Sequence, residues 1–178
     1  MGSEMCIRDR PTSGILRALY TDVLMAKLDS EPFISWNGCE IRRFKDNLVL
    51  KTRNNFIAPK ERVDLNPSSS LQIAGGFLRT VQDKGNGLRF PGLDRDLCIK
   101  FRKGGESMRV DGKTKILKKV LQELGVPPWL RDRLPLIYLG DTLVAIPGIP
   151  AWTTPPVVVS EQLAQPCEDG LLFWFDSA

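Results

Sequence analysis

The sequence predicts an α+β fold in which short strands outnumber helices, and three observations carry that prediction. Runs of alternating apolar and polar residues are closed by tight-turn dipeptides, two separate stretches carry the helical period, and 15 glycines with 13 prolines punctuate the 178 residues throughout. At 42% hydrophobic content the chain can bury a sizeable core, with a prior of one domain plus an appendage.

The first helical stretch covers residues 14–28, where Ile15, Leu19, Val23 and Leu24 fall near helical spacing and Met25 and Leu28 extend the stripe. Asp29-Ser30-Glu31-Pro32 stops it. The chain then alternates over residues 33–36, turns at Asn37-Gly38 and returns over residues 40–43, and Asn-Gly between such runs is the strongest short hairpin signal. Asp46-Asn47 is a further turn before Leu48, Val49 and Leu50. Residues 51–96 are rich in Asn, Pro, Ser and Gly, with short strands predicted at 70–73, 77–81 and 87–90. Residues 98–102 alternate as a strand that ends in Lys103-Gly104-Gly105-Glu106.

The second helix is placed by its period. Ile116, Leu117, Val120, Leu121 and Leu124 share one face at about 100° per residue, while Lys115, Lys118, Lys119 and Gln122 share the other. Thr114 is the expected N-cap, Gly125 stands at the left-handed C′ position, and Pro127-Pro128 cannot continue the helix. Beyond it, residues 136–139, a Gly140-Asp141 turn and residues 142–146 form another hairpin, and residues 157–160 and 171–175 finish the chain as strands.

Charge is concentrated in one stretch. Residues 100–133 hold ten basic and four acidic side chains, a net +6, whereas the whole chain is +4, so everything else sums to −2. Concentration of this kind is the footprint of a nucleic-acid binder. Lysines also simply solvate an outer helix face, but the flanking Arg102, Lys103, Arg109, Arg131 and Arg133 favour binding. Two glycines after a strand let backbone N–H groups converge on an anion, although a tight turn uses the same residues. No GxxxxGK[ST] loop occurs, and Gly85-Asn86-Gly87 lacks the third glycine and following helix of a dinucleotide fingerprint.

The absence of histidine excludes a Cys/His zinc site and a His-dependent triad or general base. Cys6, Cys39, Cys98 and Cys167 form no CxxC pair and are expected to be reduced, individually buried thiols. No run approaches 18 apolar residues and the leader has no signal-peptide core, so a cytoplasmic location without membrane contact is expected. Trp129 is expected under the basic helix and Trp174 in the sheet core rather than as base-stacking platforms.

Arg102-Lys103-Gly104-Gly105-Glu106, Leu117-Lys118-Lys119, Leu121-Gln122-Glu123, the run from Gly125-Val126-Pro127-Pro128-Trp129 through Leu130-Arg131-Asp132-Arg133, Pro135-Leu136, Leu143-Val144-Ala145 and Gly148 together resemble the C-terminal domain of bacterial tRNA(Ile)-lysidine synthetase. Residues 36–48, WNGCEIRRFKDNL, resemble the segment that links that enzyme's helical substrate-recognition domain to its C-terminal domain. The resemblance covers roughly residues 15–175, and Ile149-Pro150 and Pro155-Pro156 depart from the expected strand endings.

The resemblance implies a sandwich-like, β-rich C-terminal domain with one or two inserted helices over residues 32–178, related to a domain of the phenylalanine-tRNA synthetase β subunit. Residues 11–31 would be a remnant helix of the truncated helical domain. Residues 1–10 resemble a translated adapter-like leader with no counterpart in the family, and the chain reads as a gene fragment. The full enzyme would use ATP, with magnesium, to adenylate cytidine 34 of the isoleucine tRNA bearing a CAU anticodon, and lysine would then displace AMP. That chemistry belongs to an N-terminal catalytic domain with an SGGxDS loop. Ser68-Ser69-Ser70 and Ala74-Gly75-Gly76 are the nearest approaches here and lack its aspartate and serine. No catalytic residue, metal or cofactor is therefore assigned to this chain, and it is not expected to be active alone.

The expected partners are the tRNA and the N-terminal catalytic domain, with a homodimer of the full-length form as a further arrangement. The expected RNA contacts are Arg102, Lys103, Arg109, Lys113, Lys115, Lys118, Lys119, Arg131 and Arg133, with Gly104 and Gly105 giving close backbone approach. The alternative is a structural module that packs against the catalytic domain and carries an incidental basic face. An independent enzyme is disfavoured by the absence of histidine and of a phosphate loop, although paired carboxylates stay open as a chemistry.

Overall fold

The computed structural model describes residues 10–27, 30–52, 56–59, 61–67, 69–89 and 96–177. They form two compact units, residues 1–55 and residues 56–178.

The first unit begins with α1 (Ser13–Ala18), whose N-cap Thr12 accepts from the Ile15 N–H through Oγ1 at 3.4 Å. Instead of one α-helix over residues 14–28, the backbone widens into a π-helix at Leu19–Leu24; Leu28 lies outside the described residues. Ile15 and Leu19 are half-buried and Val23 is fully buried, but Leu24 and Met25 are exposed. The wider turn rotates those two away from the stripe that a regular period would give them.

Three antiparallel strands follow: β1 (Phe33–Trp36), β2 (Cys39–Phe44) and β3 (Asn47–Thr52). Asn37 and Gly38 take φ of 43° and 80°, the two left-handed positions a two-residue hairpin needs, and Trp36 pairs with Cys39. The second turn falls at Lys45-Asp46, with Lys45 at φ 53°, so Asn47 already belongs to β3, which starts one residue earlier than expected. Arg43 donates to the carbonyls of Leu24, Ala26 and Lys27 at 2.6, 2.6 and 2.8 Å, satisfying acceptors that the helix end leaves orphaned. Glu40 is buried between Arg42 and Lys51. Burial alone would raise its carboxyl, but hydrogen bonds and charge from both cations hold it below the ordinary range.

The second unit is β-rich, with several sheets and few helices. A five-stranded sheet has the order β13-β12-β11-β8-β4, built from β4 (Val63–Asp64), β8 (Leu97–Phe101), β11 (Pro135–Leu139), β12 (Thr142–Ile146) and β13 (Val157–Val158). A four-stranded sheet has the order β5-β6-β14-β7, from β5 (Leu71–Ile73), β6 (Gly76–Lys84), β7 (Leu88–Arg89) and β14 (Asp169–Ser177). One buried cluster takes Ile99, Leu136, Ile137 and Ile146 from the first sheet, Leu78, Leu171, Phe173 and Phe175 from the second, and Leu117, Leu121 and Leu134 from the intervening chain.

The expected strands thus exist, most of them displaced or resized; Phe90, the end of one, lies outside the described residues. The segment around Ile149-Pro150 and Pro155-Pro156 is irregular for an identifiable reason. Gly148 exchanges backbone hydrogen bonds with Phe173 and Phe175 of β14, both at 2.8 Å, and a Cβ there would sit 2.6 Å from the Trp174 ring. The chain then closes a 3₁₀ turn at Pro150–Trp152, with Thr153 left-handed.

Two further elements, both in the second unit, differ from the sequence reading. Residues 107–116 form a hairpin, β9 (Ser107–Val110) and β10 (Lys113–Ile116), turned at Asp111 (φ 51°) and Gly112 (φ 72°). Thr114 is therefore a strand residue paired with Arg109 and not an N-cap, and the helix α2 runs only over Leu117–Glu123, with Ile116 as N-cap. The hairpin wins because a two-residue Asp-Gly turn pairs four residues on each side, whereas a helix started at Thr114 would leave β9 without a partner. Pro127-Pro128 does stop α2, but Pro128 then opens a second short helix, α3 (Pro128–Arg131). Of the described cysteines only Cys98 is fully buried; Cys39 is half-buried and Cys167 exposed.

Candidate nucleic-acid interface

The basic stretch folds as consecutive pieces of the second unit: β8, the loop 102–106, the β9–β10 hairpin, α2 and α3. Leu117, Val120 and Leu121 anchor α2 in the core, and burying each is worth about 1.5–3 kcal/mol. Gly125 takes φ 72° and donates to Gln122 O at 3.0 Å while Val126 donates to Leu121 O at 2.9 Å, a Schellman ending. Ile116, expected on the buried face, is 62% exposed, because it closes β10 instead of turning inward with the helix.

The candidate cations divide into two groups. Arg102 bonds Asp132, the C-cap of α3, at 2.9 Å, and its Nε is buried without a partner among the described atoms. Arg109 bonds Glu161 at 2.9 Å and donates to Gly112 O at 3.3 Å. Lys115, which leaves the helix for β10, bonds Glu123 at 2.8 Å. That bond raises the lysine and lowers the carboxyl, each from its ordinary value. Arg131 donates to Val126 O at 2.9 Å, and the Arg133 guanidinium lies 5.3 Å from the centre of the Phe56 ring. By contrast the ammonium groups of Lys103, Lys113, Lys118 and Lys119 make no hydrogen bond or ion pair among the described residues, and all four side chains are exposed.

The glycine loop is built as an anion nest, and its anion is the chain's own. Gly104 and Gly105 take φ of 100° and 86°. The Glu106 carboxylate accepts from the backbone N–H of Lys103 and, at 2.9 and 3.0 Å, from that of Gly104. The expectation that Gly104 and Gly105 give an external phosphate close backbone approach therefore meets, at Gly104, an N–H already bonded to Glu106. Glu106 was legible in principle, since a glutamate directly after Gly-Gly can reach back into the turn it closes. Lys100, counted in the basic stretch but not among the candidates, is committed to Asp141 at 2.7 Å and Gly140 O at 3.1 Å. Beside it opens a cavity of about 440 Å³ lined by Pro59, Glu61, Arg62, Lys100, Phe101 and Lys103. Arg62 there bonds Asp64 at 3.1 Å, so much of the cavity's positive charge is already compensated.

The arrangement holds lysines outward on a short helix and two neighbouring turns, over a base of internally paired arginines. Such a surface suits a polyanion contacted through its phosphates, with no catalytic constellation required.

Residues 97–163, which contain all of these candidates, match the model of the TilS substrate C-terminal domain. The tRNA(Ile)-lysidine synthase of Legionella pneumophila (strain Paris) is 37% identical over 139 residues, covering 78% of this chain and 32% of that protein. That of Coxiella burnetii (strain RSA 493 / Nine Mile phase I) is 37% identical over 142 residues with the same coverage, and that of Yersinia pseudotuberculosis serotype O:1b (strain IP 31758) is 31% identical over 156 residues, covering 78% and 34%. A crystal structure of a TilS C-terminal domain aligns with a TM-score of 0.46 and 18% identity, covering 66% of this chain and 96% of that one. The chain spans about a third of the length of the curated relatives it matches. Together the domain match over residues 97–163 and the similarity to tRNA(Ile)-lysidine synthases over 78% of the chain support a TilS C-terminal region.

Proposed function

We propose that this chain grips tRNA through its phosphate backbone, on behalf of an enzyme that uses ATP and lysine to convert cytidine 34 of the CAU-anticodon isoleucine tRNA to lysidine. The observation that carries the reading is the set of four exposed lysines, Lys103, Lys113, Lys118 and Lys119, left without partners inside the family-matched segment. Contact with backbone and shape is the expected mode, since the deep major groove of A-form RNA is closed to side chains. In the same reading residues 32–178 are a sandwich-like β-rich domain and residues 11–31 are the remnant of a helical substrate-recognition domain.

ATP and magnesium act elsewhere in this reading. Of the glycine loop's backbone donors, the Lys103 and Gly104 N–H groups already bond the Glu106 carboxylate, and no ATP-binding role is proposed for them. The chain contributes binding and orientation, and no catalytic group.

The test is a titration of the 178-residue chain with isoleucine tRNA and with heparin at several salt concentrations. Salt-sensitive binding that prefers the tRNA supports the reading. Equal binding to both reduces it to a generic basic surface, and binding to the catalytic part of the enzyme without tRNA affinity favours a structural module.

A further inference from the structure

We propose that Glu106 is a positioning residue for the RNA-binding lysines, a clamp that fixes Lys103 relative to the first turn of α2; this rests on the tRNA-binding reading above. The residue works at both ends. Its carboxylate accepts the Lys103 and Gly104 backbone N–H groups, and its backbone carbonyl accepts the Leu117 N–H at 2.8 Å. Leu117 is the first residue of α2, whose N-cap has no side-chain hydrogen bond. One residue therefore secures both the loop that carries Lys103 and the helix that carries Lys118 and Lys119.

A loop with two glycines is otherwise the segment with the most backbone freedom to lose when a ligand binds. A Cβ at Gly104 or Gly105 would meet nothing within 4 Å, so the glycines supply their positive φ and relieve no crowding. That φ turns the two N–H groups onto the carboxylate, and the freedom is lost during folding rather than during binding. Burial would raise the Glu106 carboxyl, but the Lys103 and Gly104 amides and the charge of Arg102 hold it below the ordinary range, so the clamp stays ionised at neutral pH.

An acid on a polyanion-binding surface opposes binding by its charge alone, which makes the sign of the test decisive. In the 178-residue chain, tRNA affinity, its salt dependence and thermal melting are measured for wild type, E106Q, E106D, K103A and E106Q/K103A. E106Q is expected to bind roughly five- to eightfold more weakly at 0.1 M salt, and to lower the log–log salt slope by about one, the signature of one lost phosphate contact, although its net charge rises by one. E106D, which keeps the charge but shortens the reach, is expected to follow E106Q. The double variant is expected to bind no more weakly than the weaker single. Tighter binding by E106Q with an unchanged slope, E106D behaving as wild type, losses that add with K103A, or an E106Q chain that no longer folds overturns the clamp. Wild-type binding with E106Q unchanged overturns the clamp alone, whereas absence of wild-type tRNA binding overturns the tRNA-binding reading with it.

Discussion

At the base of the basic region Arg102 is bonded to Asp132, Arg109 to Glu161 and Arg131 to the Val126 carbonyl, while on the outer face of α2 Lys118 and Lys119 stand exposed with no partner among the described residues. Each side chain in the two sets carries the same single positive charge, and the sets differ in what surrounds them. A guanidinium presents a fork of donors that can satisfy a carboxylate and still pack its stem, so it suits a tie between elements. An ammonium on a long stem keeps its hydration until a phosphate arrives. A basic stretch in a sequence is thus a mixture of cations that hold the fold and cations available to a ligand, and only the second kind should appear in the salt dependence of binding.

The comparison is broken most severely from beneath. Leu121 is fully buried under the lysines, and Leu121→Ala is expected to cost about 2–5 kcal/mol of stability, read by thermal or urea unfolding. If the variant instead melts like wild type, α2 is not anchored as described.

The outer face of the same helix gives the complementary result. Reversing Lys118 and Lys119 together to glutamate is expected to weaken tRNA binding by roughly thirtyfold at 0.1 M salt and to lower the log–log slope by about two, with the melting temperature unchanged. Lys115 does not belong in this variant, although the helical period places it there. Reversing it would set a carboxylate against Glu123 and mix a folding effect into a binding measurement.

Arg102→Ala tests the base. Its bond to Asp132 joins the residue after β8 to the C-cap of α3, and Asp132 is largely exposed, so the expected loss is about 1 kcal/mol, or a melting temperature lower by about 4 °C. The salt slope of tRNA binding should stay at its wild-type value. A slope reduced by one would move Arg102 from the structural set to the binding set.

These assignments were legible in the sequence to very different depths. Leu117, Val120 and Leu121 were placed inward by period alone, Gly125 was placed at the helix end by its chemistry, and Asn37-Gly38 marked its hairpin to the residue. In each case the deciding interaction spans only a few positions. Asp111-Gly112 carried an equally local hairpin signal, but Ile116 and Thr114 also fitted a helix start, and the apolar period pulled the boundary two residues too early. The ties could not be read at all. Arg109 meets Glu161 and Arg102 meets Asp132 only after strands far apart in sequence have paired, and nothing local marks which acid will arrive.

The smallest expected effect separates the two sets of cations most finely, because it uses a residue that belongs to the tied set and is a lysine. Lys115 is compensated by Glu123 across the junction of β10 and α2, so by the logic above it contributes little to phosphate binding as it stands. Glu123→Gln removes the partner and leaves the ammonium in place. Affinity for tRNA is expected to rise about twofold, with a slope slightly steeper than wild type, since the pair is exposed and only partly holds its cation. The pH dependence carries the same sign. The Glu123 carboxyl is held below its ordinary value by Lys115, so the pair is intact at neutral pH and opens only as the pH falls through that lowered value. Wild type and E123Q should therefore differ at neutral pH and converge in acid. Equal affinities at neutral pH would mean that Lys115 is already available to the ligand, and that an exposed ion pair does not remove a lysine from a binding surface.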